Sequence, residues 1–340
     1  MAYVKRKIKN AIIGIGPESN RGTYLTPVTY YKVAELSLPD ITADILNWET
    51  LRGTLTREDY IIGNITASVS FDMAMPVAFS DIAAADLWLA GMIPLFEAGG
   101  FEVHQGNISN TDVLGDTEIA TNVYIRPNDE SNSGLSVTIS VDGHQEQIRG
   151  ATANINYVYE AGQIAKINVT LEGVYVLATE VTQPTPGTLI GLKPQIVEDI
   201  YSFILNGTNE FGGAPRGACL NALEVTSNVT SSKYPCAQAD KGIKFYEITD
   251  REVKSTCTVA SSLGEDAQLD EDFREGVATK VIMEGRELAD GNNAVRVVVA
   301  GKITSKKGAD VEGNRFHDIE VSGCGEKEQE FELMMENLTI

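Results

Sequence analysis

Basic side chains are scarce: 27 Lys and Arg stand against 48 Asp and Glu over 340 residues, a net charge of -21. A chain this acidic repels a phosphate backbone, which excludes a stable nucleic-acid groove. The exception is Lys5, Arg6, Lys7 and Lys9 at the start, read as a solvated arm or as one lying on an acidic neighbour. Histidine is also rare, with only His104, His144 and His317, and no Ser or Cys sits in a G-x-S-x-G elbow. A hydrolase triad therefore has no basis. Gly14 and Gly16 lack the third glycine of a dinucleotide loop, and no G-x-x-x-x-G-K-[ST] loop occurs. The chain is expected not to be an enzyme and to need no cofactor. No apolar run approaches the roughly 20 residues of a membrane helix. The basic start is not followed by a signal-peptide core, so the protein is expected to begin inside a cell.

Four cysteines, Cys219, Cys236, Cys257 and Cys324, fall in the second half at spacings that match no zinc or redox motif. They read as buried free thiols, with a Cys219–Cys236 bridge as the alternative. Asp142, His144 and Glu146 alternate and could offer three metal ligands, but read more simply as a solvated turn. Asp310, Glu312 and Asn314 alternate without the closing Glu of a calcium loop, so no metal is expected.

What the sequence holds in quantity is alternation. Asn64–Met73, Leu135–Val141, Asn154–Tyr159 and Ala165–Val176 switch between apolar and polar with period two, the pattern of half-buried strands. Glu160, Ala161 and Gly162 supply turn chemistry, so Asn154–Val176 reads as an antiparallel hairpin. A helix is expected from an Ser80 cap through Ile82, Leu89, Met92, Ile93 and Phe96, kinked or split by Gly91 and Pro94. Strands with a helix on one face make a mainly β, antiparallel α+β or sandwich-plus-helix unit.

Pro184, Pro186, Gly187 and Pro194 mark a boundary. Residues 1–180 form one domain with an N-terminal arm, 181–194 a linker and 195–340 a second domain. In the second domain Leu223–Val229, Ile243–Ile248 and Arg251–Ala260 read as strands. A weak helix near Asp270–Lys280 follows, then strands at Ala294–Ile303, Phe316–Val321 and Glu328–Met335. Ser322–Gly325 separates the last two and mirrors the first hairpin, which suggests duplication. Glu328, Glu330 and Glu332 share a strand face opposite Phe331 and Leu333, and are expected to form a wet, acidic surface.

The segment Gly134–Val176, with a Gly-Ala at Gly150, an EAG turn and a strand through Gly173 and Tyr175, resembles the siphophage major tail tube proteins. So do YLTPVTYYKVAELSLPDI, TREDYIIGNITASVSFDM, DLWLAGMIPLFEAGGF, ACLNALEV and GIKFYEITDREVKSTC, in that order, covering most of the chain. The resemblance implies two similar β-sandwich-like domains, each with a flanking helix, whose strands contribute to a ring-closed inner β-barrel. It implies a structural virion protein of the viral tail, assembled in the host cytoplasm and polymerising into stacked rings that conduct DNA during ejection. The partner is the chain itself, as a homotrimeric pseudo-hexamer or else a homohexamer. Tape measure, tail terminator and tail tip proteins are implied as further partners, with DNA only in transit and no membrane. Trp48, Leu51, Arg52 and Arg57 are expected to stack rings, and the acidic face of Glu328, Glu330 and Glu332 to line the lumen. The rival readings are a tail terminator, a capsid decoration protein, or a secreted adhesin or carbohydrate-binding sandwich.

Overall fold

The computed structural model describes residues 11–27, 30–31, 33–47, 60–75, 91–105, 123–128, 133–161, 163–182, 184, 200–207, 216–217, 220–239, 242–261, 265–286, 294–324 and 330–335. The fold is mainly β. In chain order the first strands are β1 (Ala11–Pro17), β2 (Tyr30–Tyr31), β3 (Asp40–Asn47) and β4 (Tyr60–Ala74), followed by a helix, α1, over residues 91–98. Then come β5 (Phe101–Gln105), β6 (Val123–Pro127), β7 (Leu135–Val141), β8 (His144–Glu160), β9 (Lys166–Glu180), β10 (Ile200–Gly207), β11 (Arg216–Gly217) and β12 (Leu220–Thr226). The remainder is β13 (Val229–Pro235), β14 (Ile243–Arg251), β15 (Lys254–Ala260), α2 (Glu265–Glu275), β16 (Ala278–Arg286), β17 (Ala294–Val311), β18 (Asn314–Gly323) and β19 (Phe331–Met335).

All the ladders are antiparallel, and eight strands make one continuous row: β3, β4, β9, β8, β12, β15, β18, β17. The alternation in the sequence sets its two faces. Ala67, Val69, Phe71 and Met73 point to the core together with Ile167, Val169 and Leu171, while Ser68, Ser70 and Asp72 point the other way. The long strands β8 and β17 each take an irregular step in register, at Arg149/Thr152 and Ile303/Ser305. An extra residue there bends the strand. Before the bend, β8 carries β7, β1 and β2, and β17 carries β16, β10 and β11 on one side and β19, β6 and β5 on the other. Met92, Leu95 and Phe96 of α1 and Leu269 of α2 belong to the core enclosed between these layers.

The Asn154–Val176 hairpin forms as expected, in longer strands. Leu135–Val141 is a strand but not half-buried: all seven residues are buried. Residues 18–27 fold over its polar face, where Leu25 N donates to Ser136 Oγ at 2.8 Å and the Tyr24 and Thr138 hydroxyls meet at 2.5 Å. Ser80, Ile82 and Leu89 lie outside the described residues, and over 91–98 the helix continues through Pro94 without a split. α2 begins earlier than expected and stops at Glu275. There Gly276, at φ +63°, provides the left-handed residue of a helix end, and Val277 N donates to Asp272 O at 3.0 Å.

In the second half Leu223–Val229 divides into β12 and β13, and β18 does not pair with β19. Both lie along β17, so the second hairpin is β17–β18, through Glu312 and Gly313. Positive φ at both turn residues is the type I′ geometry of a two-residue hairpin, as also at Asp142 and Gly143 between β7 and β8. That accounts for two of the alternating polar triplets, since Asp310 Oδ1 accepts from Gly313 N at 3.0 Å and His144 Nδ1 meets Glu180 Oε1 at 3.0 Å. Cys257 is buried, and desolvation pushes its thiol up to about 12. The expectation of buried thiols fails for Cys324, which is exposed, and Cys236, partly exposed. Cys236 is free, so it is not bridged to Cys219.

Candidate assembly surface

The face of the eight-strand row turned away from the core is polar, and its rungs run unbroken between the two halves of the sequence. One rung reads Lys166, Val158, Glu224, Thr256, Glu320, Ser305, and another Asp72, Asn168, Asn156, Thr226, Lys254, Ser322. Asp40, Asp72, Glu172, Glu224, Asp318 and Glu320 on this face outnumber Lys166, Lys254 and Lys307. The opposite charges are mostly paired: Lys166 Nζ lies 2.7 Å from Asp72 Oδ2, and that hydrogen bond holds the lysine above its ordinary pKa. Asp318 Oδ1 accepts from Thr258 Oγ1 at 2.7 Å.

The hairpin β13–β14 lies across one end of the face. Lys233 Nζ donates to both Asp44 oxygens at 3.1 Å, and Ser231 Oγ to Glu172 Oε2 at 3.2 Å. The Lys233 contact holds the Asp44 carboxyl below the usual carboxylate range. Ile243 and Tyr246 close a small apolar cluster with Val174, and Arg21 stacks 4.6 Å over Phe245 while donating to Tyr246 O. Close approach needs a glycine beneath. A Cβ on Gly150, at φ +55°, would stand 2.5 Å from Phe245 Cβ.

Besides this hairpin, two strand ladders join the halves among the described residues. β12 pairs with the second part of β8, from Ala222↔Glu160 to Thr226↔Asn156, and β19 pairs with β6. At the β6–β19 junction Glu332 Oε2 accepts from Arg126 Nε at 2.6 Å, with the side chains 0% and 4% exposed. This corrects the expected wet face. Glu332 is one half of a buried ion pair. Glu330, 18% exposed, lies 3.4 Å from Arg251, and Glu328 falls outside the described residues. Alternation along β19 is real, but both of its faces are covered.

Trp48, Leu51, Arg52 and Arg57 also lie outside the described residues. The strands that flank them end in exposed apolar side chains, Ile45 and Leu46 on β3 and Ile61 and Ile62 on β4, 51 to 69% exposed. Sequence reading missed β3 altogether. Its signal was the alternation of Asp40, Thr42 and Asp44 with Ile41, Ala43 and Ile45 directly after Pro39. Among the described residues no cluster of three His, Cys, Asp or Glu could hold a metal, and no helix is long and apolar enough to cross a membrane.

The pairing order recurs along the chain. β1 on β7 and β2 on β1 find counterparts in β10 on β16 and β11 on β10. β3–β4–β9–β8 likewise has its counterpart in β12–β15–β18–β17. α1 follows β4 as α2 follows β15. No family model matches the chain, and no curated protein is similar to it.

Proposed function

We propose that this protein is the major tail tube subunit of a siphophage: two sandwich-like repeats per chain, polymerising through rings into a conduit for DNA. The observation that carries the reading is the eight-strand row, which crosses from one repeat to the next by a β8–β12 ladder and, among the described residues, ends in two unladdered strand edges. A subunit that already contains one repeat-to-repeat junction needs only the same junction between chains to extend the sheet. Heterologous contacts of this kind close into a ring when the rotation closes, and otherwise grow as a filament. Closure also removes sheet edges that would otherwise recruit other chains.

With two repeats per chain, three chains make a pseudo-six-fold ring around a β-barrel. The polar face of the row then becomes the lumen. Carboxylates in excess there repel the duplex, whereas lysines would bind phosphates and slow its passage. This places the acidic wall on Asp40, Glu172, Glu224 and Glu320 rather than on β19. Ring stacking is assigned to residues 48–59, with the apolar ends of β3 and β4 beside them. Tape measure, terminator and tip proteins are the partners this reading carries, in the virion tail.

Negative-stain electron microscopy of the purified protein at rising concentration tests the reading. Hollow filaments with three two-lobed subunits per ring are expected. Monomers or isolated single rings under every condition, with virion tails added as seeds, would overturn it in favour of a terminator or decoration protein.

A further inference from the structure

We propose that β3 of one chain pairs antiparallel with residues 303–311 of β17 in a second copy, Thr42 standing opposite Ala309. The proposal rests on the self-assembly reading above and adds to it the strands, the register and the side chains of the contact.

Both edges are open. β3 pairs only with β4, and β17 beyond residue 302 pairs only with β18, among the described residues. Each has an internal counterpart whose edge is filled. β12 lies on β15 as β3 lies on β4, and the β8–β9 hairpin answers to β17–β18. The sequences agree: Leu36–Thr42 reads LSLPDIT beside LNALEVT at Leu220–Thr226. The ladders align the other partner: Asp40 leads through Ser68 and Glu172 to Thr152, and Glu224 through Thr256 and Glu320 to Ser305, so Ser305 answers to Thr152 and the irregular steps at Arg149/Thr152 and Ile303/Ser305 coincide. Inside the chain Thr226 faces Asn156 and Glu224 faces Val158. Carried across these matches, Thr42 faces Ala309 and Asp40 faces Val311.

Two independent features fit that register. The first is charge: Lys307, an exposed cation on the polar face, comes to lie beside Asp44, itself 44% exposed, while β3 carries no basic residue. The second is burial. Ile41, 40% exposed, corresponds to Val225, which is 3% exposed because β12 is already seated on β8. Seating β3 on β17 gives Ile41 the same cover and continues the polar rungs into the next chain. The contact uses different surfaces on the two partners, so each copy offers one edge and accepts another.

Cross-linking tests it. Thr42→Cys and Ala309→Cys are combined with Cys219→Ser, Cys236→Ser and Cys324→Ser, and the assembled protein is treated with a short bismaleimide, which tolerates a small slip in register. A covalent ladder of dimer and trimer is expected, with a 42–309 link found by mass spectrometry, and neither single cysteine variant should give it. Filaments that form normally without any 42–309 link would overturn the proposed contact while leaving the tube reading intact. A ladder from Thr42→Cys alone would overturn it too, since two β3 edges would then be meeting. Failure of the unsubstituted chain to assemble under any condition defeats both readings. As a second measurement, Lys307→Glu is expected to abolish assembly while leaving the monomer's thermal melt unchanged, and Lys307→Arg to preserve assembly. Assembly unaffected by Lys307→Glu counts against the contact.

Discussion

Replacing Glu332 by alanine removes the carboxylate opposite Arg126 from a site where the guanidinium is 4% exposed. Breaking a buried ion pair from one side typically costs about 3–5 kcal/mol, because the remaining charge keeps its desolvation penalty and loses its compensation. Unfolding entropy near 2.1 cal/mol/K per residue gives roughly 0.7 kcal/mol/K for this chain, so the melting temperature of Glu332→Ala should fall by about 4–7 °C. Arg126→Met with Glu332→Leu removes both charges and keeps the volume, and should recover most of that loss. Differential scanning calorimetry of the wild type, both single variants and the double variant gives the coupling directly. A fall of less than about 1 °C for Glu332→Ala would refute the reasoning, as would a double variant as unstable as the singles. The first result would mean that the pair is solvated, and the second that the site does not accept apolar side chains of the same volume.

The β13–β14 hairpin should respond to pH. Asp44 is held below its ordinary value of 3.8, chiefly by the hydrogen bond from Lys233. A depressed carboxylate stabilises the folded state above its unfolded pKa and loses that contribution as pH falls through its folded value. Hydrogen exchange over residues 229–251 should accelerate as pH falls below about 3.8, once intrinsic rates are corrected, and Asp44→Asn should flatten the response. An unchanged profile in Asp44→Asn would remove Lys233–Asp44 as the clasp. Gly150→Val combines a side chain at φ +55° with a collision against Phe245 and should destabilise the protein by about 1–3 kcal/mol in chemical denaturation, with faster exchange in the same hairpin. Wild-type exchange there would show that the hairpin does not rest on Gly150.

Much of the fold was legible because the information is local. Period-two alternation identified Asn64–Met73, Leu135–Val141 and Asn154–Val176, and the turn residues of the EAG segment identified the hairpin. Asp142, His144 and Glu146 read most simply as a solvated turn, and a turn forms at Asp142 and Gly143, whereas Asp310, Glu312 and Asn314 gave no sign of the turn at Glu312 and Gly313. Where local signals compete, the reading slipped. The helix near Asp270 was placed late because its acidic residues leave little apolar stripe, and Gly276 ends it before Lys280.

By itself, then, the sequence determined the class of the molecule: alternation makes half-apolar strands, tight turns make them antiparallel, and the excess of carboxylates sets a strongly negative net charge. Only the tertiary structure decided which faces are wet. Glu332 and Phe331 alternate in either case, but the burial of Glu332 depends on Arg126, 206 residues away, arriving on the adjacent strand. The same holds for the edges. Alternation marks a strand without saying whether a neighbour fills its side, and β12 differs from β3 in this respect only because β8 of the same chain has come to lie against it. Strand pairing is set by contacts distant along the chain, whereas side-chain alternation is set by adjacent residues, and only the second can be read along a line.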